Sequence, residues 1–189
     1  MRRAETMTPI SGKLHNSDLN IVLTGFMGTG KSSVARELAH MLGRKVVDVD
    51  AEIERRAGKS ISSIFAEYGE PRFRDLETEA TRETAKGKSQ IISTGGGVVL
   101  RKENMDALRG SGIVFCLFAT PEAILERTRS NKDRPLLQTS DPLGKIRELL
   151  ETRDRYYRNT CSYMIDTVGK TPGEVAREIL EKFCLKAEK

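Results

Sequence analysis

The sequence predicts an α/β fold, a parallel sheet with helices on both faces, and three observations carry that reading. Short apolar runs recur near residues 19–24, 45–49, 90–93, 113–118 and 162–166, and the segments between them show helical periodicity. The first run, Ile21-Val22-Leu23, passes through a glycine-rich stretch into Ser33-Val34-Ala35-Arg36-Glu37-Leu38-Ala39, the pattern of a strand, a loop and a helix. A chain of 189 residues, 38% hydrophobic and 31% charged, is also long enough to bury one core without disulfide staples. Residues 18–189 read as a single domain and the polar stretch 1–17 as a disordered leader, with Met7 as an alternative start.

In open sheets of this class ligands sit beyond the carboxyl ends of the strands, so the residues after each apolar run form the candidate site. After the first run the chain reads Gly25-Phe26-Met27-Gly28-Thr29-Gly30-Lys31-Ser32, the spacing G-x-x-x-x-G-K-S. Glycines let the backbone curl so that several N–H groups converge on polyphosphate oxygens; the lysine reaches the β- and γ-phosphates and the serine hydroxyl ligates Mg²⁺. The stretch Gly28, Thr29, Gly30, Lys31, Ser32 and Ser33 predicts a nucleoside triphosphate site.

After the second run come Asp48-Val49-Asp50, and alternate residues of an extended chain place both carboxylates on one side. Ser60 is a fair N-cap for a short helix carrying Ile61, Ile64 and Phe65, which Gly69 ends. Pro71 starts another helix with the stripe Phe73, Leu76, Ala80 and Thr84. Arg74 and Glu77 lie one turn apart beside that stripe, and spacing alone leaves them equally suited to a cleft or to the surface. The third run ends in Ser93-Thr94-Gly95-Gly96-Gly97, where missing Cβ atoms let another molecule approach the main chain. Ser130 to Asp141 is polar and interrupted by Pro135, the character of a mobile lid. In the helix that follows, the stripe Ile146, Leu149 and Leu150 continues to Arg153, which needs a carboxylate, a phosphate or an escape to solvent.

Other classes are disfavoured. No stretch approaches the ~18 apolar residues of a membrane span. The net charge of +5 comes from Lys and Arg mixed with Asp and Glu, without the aromatic interleaving of a nucleic-acid surface, and small anionic ligands account for it. Cys116, Cys161 and Cys184 are odd in number and lack metal-ligand spacing, which fits a reducing, cytoplasmic setting. Neither His15 nor His40 has a plausible metal or nucleophile partner nearby in sequence. A monomer is expected.

Taken together, Gly25 to Ser33, Asp48-Val49-Asp50, Phe73-Arg74 with Glu77, Gly95-Gly96-Gly97, Arg134-Pro135-Leu136-Leu137 and Arg153 resemble shikimate kinase, in order and at similar separations across roughly residues 19–185. The resemblance implies a P-loop, nucleoside-monophosphate-kinase-like fold with five parallel strands in order 2-3-1-4-5, an acceptor-binding segment at about 50–80 and a lid at about 130–141. It implies transfer of the ATP γ-phosphoryl group to the 3-hydroxyl of shikimate, in aromatic amino-acid biosynthesis. It further implies that Lys31 stabilises the transferring group, Ser32 binds Mg²⁺ directly and Asp48 holds it through water. Asp50 contacts the acceptor hydroxyls, orienting or deprotonating the nucleophile; Arg74 and Arg153 hold the acceptor carboxylate; Glu77 braces the arginine; Gly96 offers a main-chain N–H. Arg134 resembles the lid arginine that closes over the phosphates, and Arg127 and Lys170, with Pro172, fall where the family encloses adenine. The leader is longer than in the family, and Ser33 stands where many relatives have Thr.

Two other readings compete. Gluconate would suit the same inventory of forked cations and acidic acceptors nearly as well. A GTPase switch is hinted at by Asn131-Lys132-Asp133-Arg134 and Asp141-Pro142-Leu143-Gly144, but the first has arginine in place of the fourth-position aspartate and the second follows it when a switch should precede.

Overall fold

The computed structural model describes residues 17–129 and 139–187. The leader, save Ser17, and the lid segment with Arg134, save residues 139–141, lie outside the described residues. Strands β1 (Asn20–Gly25), β2 (Val46–Asp48), β3 (Ile91–Ser93), β4 (Gly112–Phe118) and β5 (Tyr163–Asp166) form one parallel sheet in the order β2-β3-β1-β4-β5. The five expected apolar runs and the expected strand order are both present. Between the strands run α1 (Lys31–Leu42), α2 (Val49–Ala57), α3 (Ile61–Ala85), α4 (Lys102–Ser111), α5 (Pro121–Thr128), α6 (Pro142–Thr160) and, after β5, α7 (Pro172–Ala187).

The alternation of each strand sorts its side chains onto two faces. Ile21 and Leu23 of β1, with Ile113, Phe115 and Leu117 of β4, pack under α1 and α7 against Val34, Leu38, Ile179 and Phe183. Val22, Val114 and Cys116 point the other way, into a second cluster with Ile53, Ile64, Phe73, Met105, Ile124 and Ile146. The helices that carry the acceptor-binding candidates all lie on this second face.

Helix boundaries follow their caps. Ser60 accepts a hydrogen bond from the Ser63 N–H at 3.1 Å, and Gly69, at φ 75°, breaks α3 into two helical pieces just before Pro71, as the sequence predicts. Asp141 accepts from the Gly144 N–H at 2.9 Å with Pro142 in the first turn. Asp141 to Gly144 is thus a helix start, and its resemblance to a nucleotide-switch sequence is incidental.

At Gly25 the chain leaves β1 at φ 127°, and a Cβ there would stand 2.1 Å from the Leu117 carbonyl oxygen of β4. Gly25→Ala is expected to push the two central strands apart and cost about 1–3 kcal/mol. Urea unfolding checks this: the midpoint should fall at unchanged slope, and an unaltered midpoint contradicts the packing argument.

Candidate active site

The glycine-rich loop curls because Gly28 and Gly30 adopt φ 77° and 92°, a region open to glycine at little cost. Thr29 is buried, and both its hydroxyl (2.7 Å) and its N–H (3.3 Å) turn back onto the Phe26 carbonyl. Its side chain shapes the loop. Lys31 lies across the same loop, its Nζ donating to the carbonyls of Gly25 at 2.7 Å and Phe26 at 2.9 Å. Ser32 and Ser33, at the start of α1, flank a cleft of about 200 Å³ that Asp48, Asp50, Thr94 and Gly96 close on the far side.

Arg127 clasps the back of this loop. Its Nη1 donates to the Thr167 hydroxyl at 2.9 Å and more weakly to the Gly28 carbonyl at 3.4 Å, and its Nη2 to the Thr167 carbonyl at 2.7 Å. Arg127 thereby joins the cradle to the end of β5. Lys170 pairs with Glu178 at 2.8 Å on the surface.

The two aspartates meet the same cleft by a route other than the extended chain. Asp48 ends β2 and caps α2, its Oδ1 accepting from the N–H groups of Asp50 (3.0 Å) and Ala51 (3.2 Å). Asp50 is already in the first helical turn. A strand that becomes a helix at Val49 places both carboxylates on one cavity wall, the result that alternation predicted for a different reason.

Arg74 and Glu77 belong to the interior: they are 8% and 0% exposed. Arg74 donates from Nη1 to Glu77 at 2.8 Å and from Nε and Nη2 to Glu70 at 3.1 and 2.7 Å. Above them runs the triple glycine. A Cβ on Gly95 would lie 2.6 Å from Asp50 Oδ1, and one on Gly97 would lie 2.2 Å from Arg74 Nη1. What approaches the bare main chain here is this protein's own charged side chains.

Arg153 is 7% exposed, stands 6.0 Å over the Phe26 ring, and has no carboxylate partner among the described residues. One turn further along α6, the Tyr157 hydroxyl donates to the Gly96 carbonyl at 2.5 Å and lies within reach of Arg153. Burial pushes that hydroxyl's pKa up, against the pull of Arg153. Sequence reading missed Tyr157; the available signal was its i+4 spacing from Arg153 on the core-facing stripe. Burial likewise lifts the Glu77 carboxyl above its ordinary pKa, and the Arg74 guanidinium offsets only part of that shift.

A phosphate cradle at the end of β1, sharing a small cleft with two aspartates, with two buried guanidiniums packed nearby against the Gly97 backbone and the Phe26 ring, defines a P-loop phosphotransferase. The shikimate kinase family profile matches residues 27–184. The chain is 49% identical over 164 residues to a shikimate kinase of Thermodesulfovibrio yellowstonii, covering 87% of this chain and 94% of that one. It also superposes on a shikimate kinase from Acinetobacter baumannii solved in complex with shikimate, with TM-score 0.89, 39% identity, and 95% of this chain and 99% of that chain covered. The chain belongs to the shikimate kinase family, whose members phosphorylate a hydroxyl of shikimate with ATP. A gluconokinase from Sinorhizobium meliloti, at 21% identity and TM-score 0.62, shares the fold alone.

Because folded Glu77 binds its proton more tightly than the unfolded chain does, its stabilising contribution is full below the ordinary glutamate pKa and is lost as pH rises through the raised one. Urea midpoints of the protein and of Glu77→Gln across that window should show the wild type losing ground as pH climbs. A difference that stays flat or grows would mean that the Arg74 attraction outweighs burial.

Proposed function

We propose that this chain transfers the γ-phosphoryl group of ATP to the 3-hydroxyl of shikimate, with the triphosphate in the Gly25–Ser33 loop and the acceptor between Asp50, Arg74, Gly96 and Arg153. The observation that carries the acceptor assignment is Arg153, a buried cation without an acidic partner among the described residues. A buried charge of this kind costs several kcal/mol unless something compensates it. A carboxylate bound between Arg153 and Arg74 supplies that compensation, and a forked guanidinium matches a carboxylate's geometry.

The remaining roles follow from chemistry. Lys31 exchanges two neutral carbonyl acceptors for charged phosphate oxygens, a stronger pairing than the one it leaves. Asp50 orients the acceptor hydroxyl, since a loose transition state demands little proton removal before transfer. Tyr157, by fixing the Gly96 carbonyl, sets the direction of the neighbouring main-chain groups that face the acceptor. Arg134, outside the described residues, is assigned to the phosphates, and Arg127 with Lys170 to the adenine side.

The donor set fits Mg²⁺. Among the described residues no three His, Cys, Asp or Glu side chains gather into a metal cage, and Mg²⁺ asks for none: it keeps several waters and takes one or two protein oxygens beside the substrate phosphates. Ser32 would supply a direct oxygen. Asp48, with Oδ1 engaged in capping α2, would turn Oδ2 toward a metal-bound water. When bound, the ion neutralises charge on the β- and γ-phosphate oxygens. Among the described residues no helix is long and apolar enough to cross a membrane. A cytoplasmic monomer completes this reading.

Coupled ADP release with shikimate, gluconate and nucleoside monophosphates tests the acceptor: activity confined to shikimate is expected, and preference for gluconate would overturn it. Arg153→Ala should weaken acceptor binding by about 2–5 kcal/mol, read as a raised KM for shikimate with KM for ATP little changed. Lys31→Ala should lower kcat by about 10²–10³ while the thermal midpoint is retained.

A further inference from the structure

The guanidinium of Arg101 spans from the end of the glycine loop to the helix that carries Arg74. The triple glycine runs on into a 3-10 turn, Val98–Leu100, in which the Val98 N–H donates to the Gly95 carbonyl at 3.4 Å and the Leu100 N–H to the Gly97 carbonyl at 3.0 Å. Arg101 comes next, just before α4. Its main chain is held there: the Asn104 N–H donates to the Arg101 carbonyl at 3.1 Å, and the buried Asn104 side-chain amide donates to the Val98 carbonyl at 3.2 Å. From this fixed backbone the side chain crosses to α3. Nη1 donates to the main-chain carbonyl of Arg74 at 3.1 Å and to the Thr78 hydroxyl at 3.2 Å, and Nη2 donates to Asp75 at 2.9 Å.

We propose that Arg101 is a positioning residue for the acceptor: on the assignment of Arg74 and Gly96 to acceptor binding made above, it sets the spacing between the glycine loop and α3. The contacts close a ring. The Arg74 guanidinium lies so near the Gly97 main chain that a Cβ there would stand 2.2 Å from its Nη1. The 3-10 turn leads from Gly97 to Arg101, and Arg101 returns to the carbonyl of Arg74 itself. Arg74 is therefore held at both ends, its head by Glu70, Glu77 and the glycine loop and its main chain by Arg101.

An arginine side chain has many rotamers to lose, and a clamp that must meet a carboxylate works best when those are already restricted. As a surface ion pair, Arg101 with Asp75 would contribute little, since the two side chains are 31% and 52% exposed. The bonds to the Arg74 carbonyl and to the buried Thr78 hydroxyl give Arg101 its hold on the inner side of α3. Its positive charge also acts on Glu77, adding to the pull of Arg74 against burial.

Steady-state kinetics of Arg101→Ala should show KM for shikimate raised about tenfold, with KM for ATP changed by less than about twofold, because misplacing one binding group is felt mainly by the ligand it holds. Arg101→Lys, which keeps the charge but not the fork, should recover part of that loss. In a double-mutant cycle with Arg74→Lys, the losses in kcat/KM for shikimate should be less than additive. A lowered urea midpoint with KM for shikimate unchanged, or strictly additive losses, would overturn the positioning role. If Arg101→Ala folds poorly, Asp75→Asn combined with Thr78→Val strips two of the three contacts at nearly constant volume and should raise the same KM; an unaltered value counts against Arg101. Absence of shikimate turnover in the wild type would instead strike at the acceptor assignment. Hydrogen exchange of the protein without ligand reads Arg101 independently of that: faster exchange at Thr78 and Leu100 in Arg101→Ala is expected, and unaltered exchange at both overturns the pinning.

Discussion

The acceptor side of this molecule is built around a fit between charge and missing side chains. Arg74 and Glu77 occupy volume that Cβ atoms on Gly95 and Gly97 would otherwise fill, so the three-glycine loop lies directly on the ion pair. Exposed, the same i,i+3 pair would contribute only about 0.2–0.5 kcal/mol. Buried, removing either partner costs about 3–5 kcal/mol, because the other charge is left in a poorly polarisable surrounding. The raised pKa of Glu77 reflects that cost, and the Glu70 carboxylate on the outer side of Arg74 holds the guanidinium plane from a second direction. Asp50 reaches the same loop from α2, and Tyr157 reaches it from α6.

The triphosphate side depends on backbone conformation instead. Left-handed glycines turn the chain between β1 and α1, and Thr29 locks that turn by satisfying the Phe26 carbonyl from two atoms of one residue. Arg127 braces the loop from outside through Thr167, which links the cradle to the end of the edge strand β5. The two halves meet in a cleft of about 200 Å³ that Lys31, Ser32, Asp48 and Asp50 all line. Close quarters of this kind favour phosphoryl transfer, where positioning and charge complementarity do most of the catalytic work.

Sequence alone determined what depends on local chemistry: the alternating strands and helices, the phosphate loop with its lysine and serine, the Ser60 cap, the break at Gly69 and the family resemblance. These are legible because hydrophobic period, turn residues and motif spacing act over a few positions. Tertiary structure decided what depends on burial and on approach between distant segments. It put Arg74, Glu77 and Arg153 in the interior, turned Thr29 inward, set Lys170 on the surface, and brought Tyr157 to Gly96 across 61 positions. A stripe pattern gives the face on which a charged side chain lies, but whether that face meets solvent, a carboxylate or a backbone without Cβ atoms is fixed only when the helices pack against the sheet.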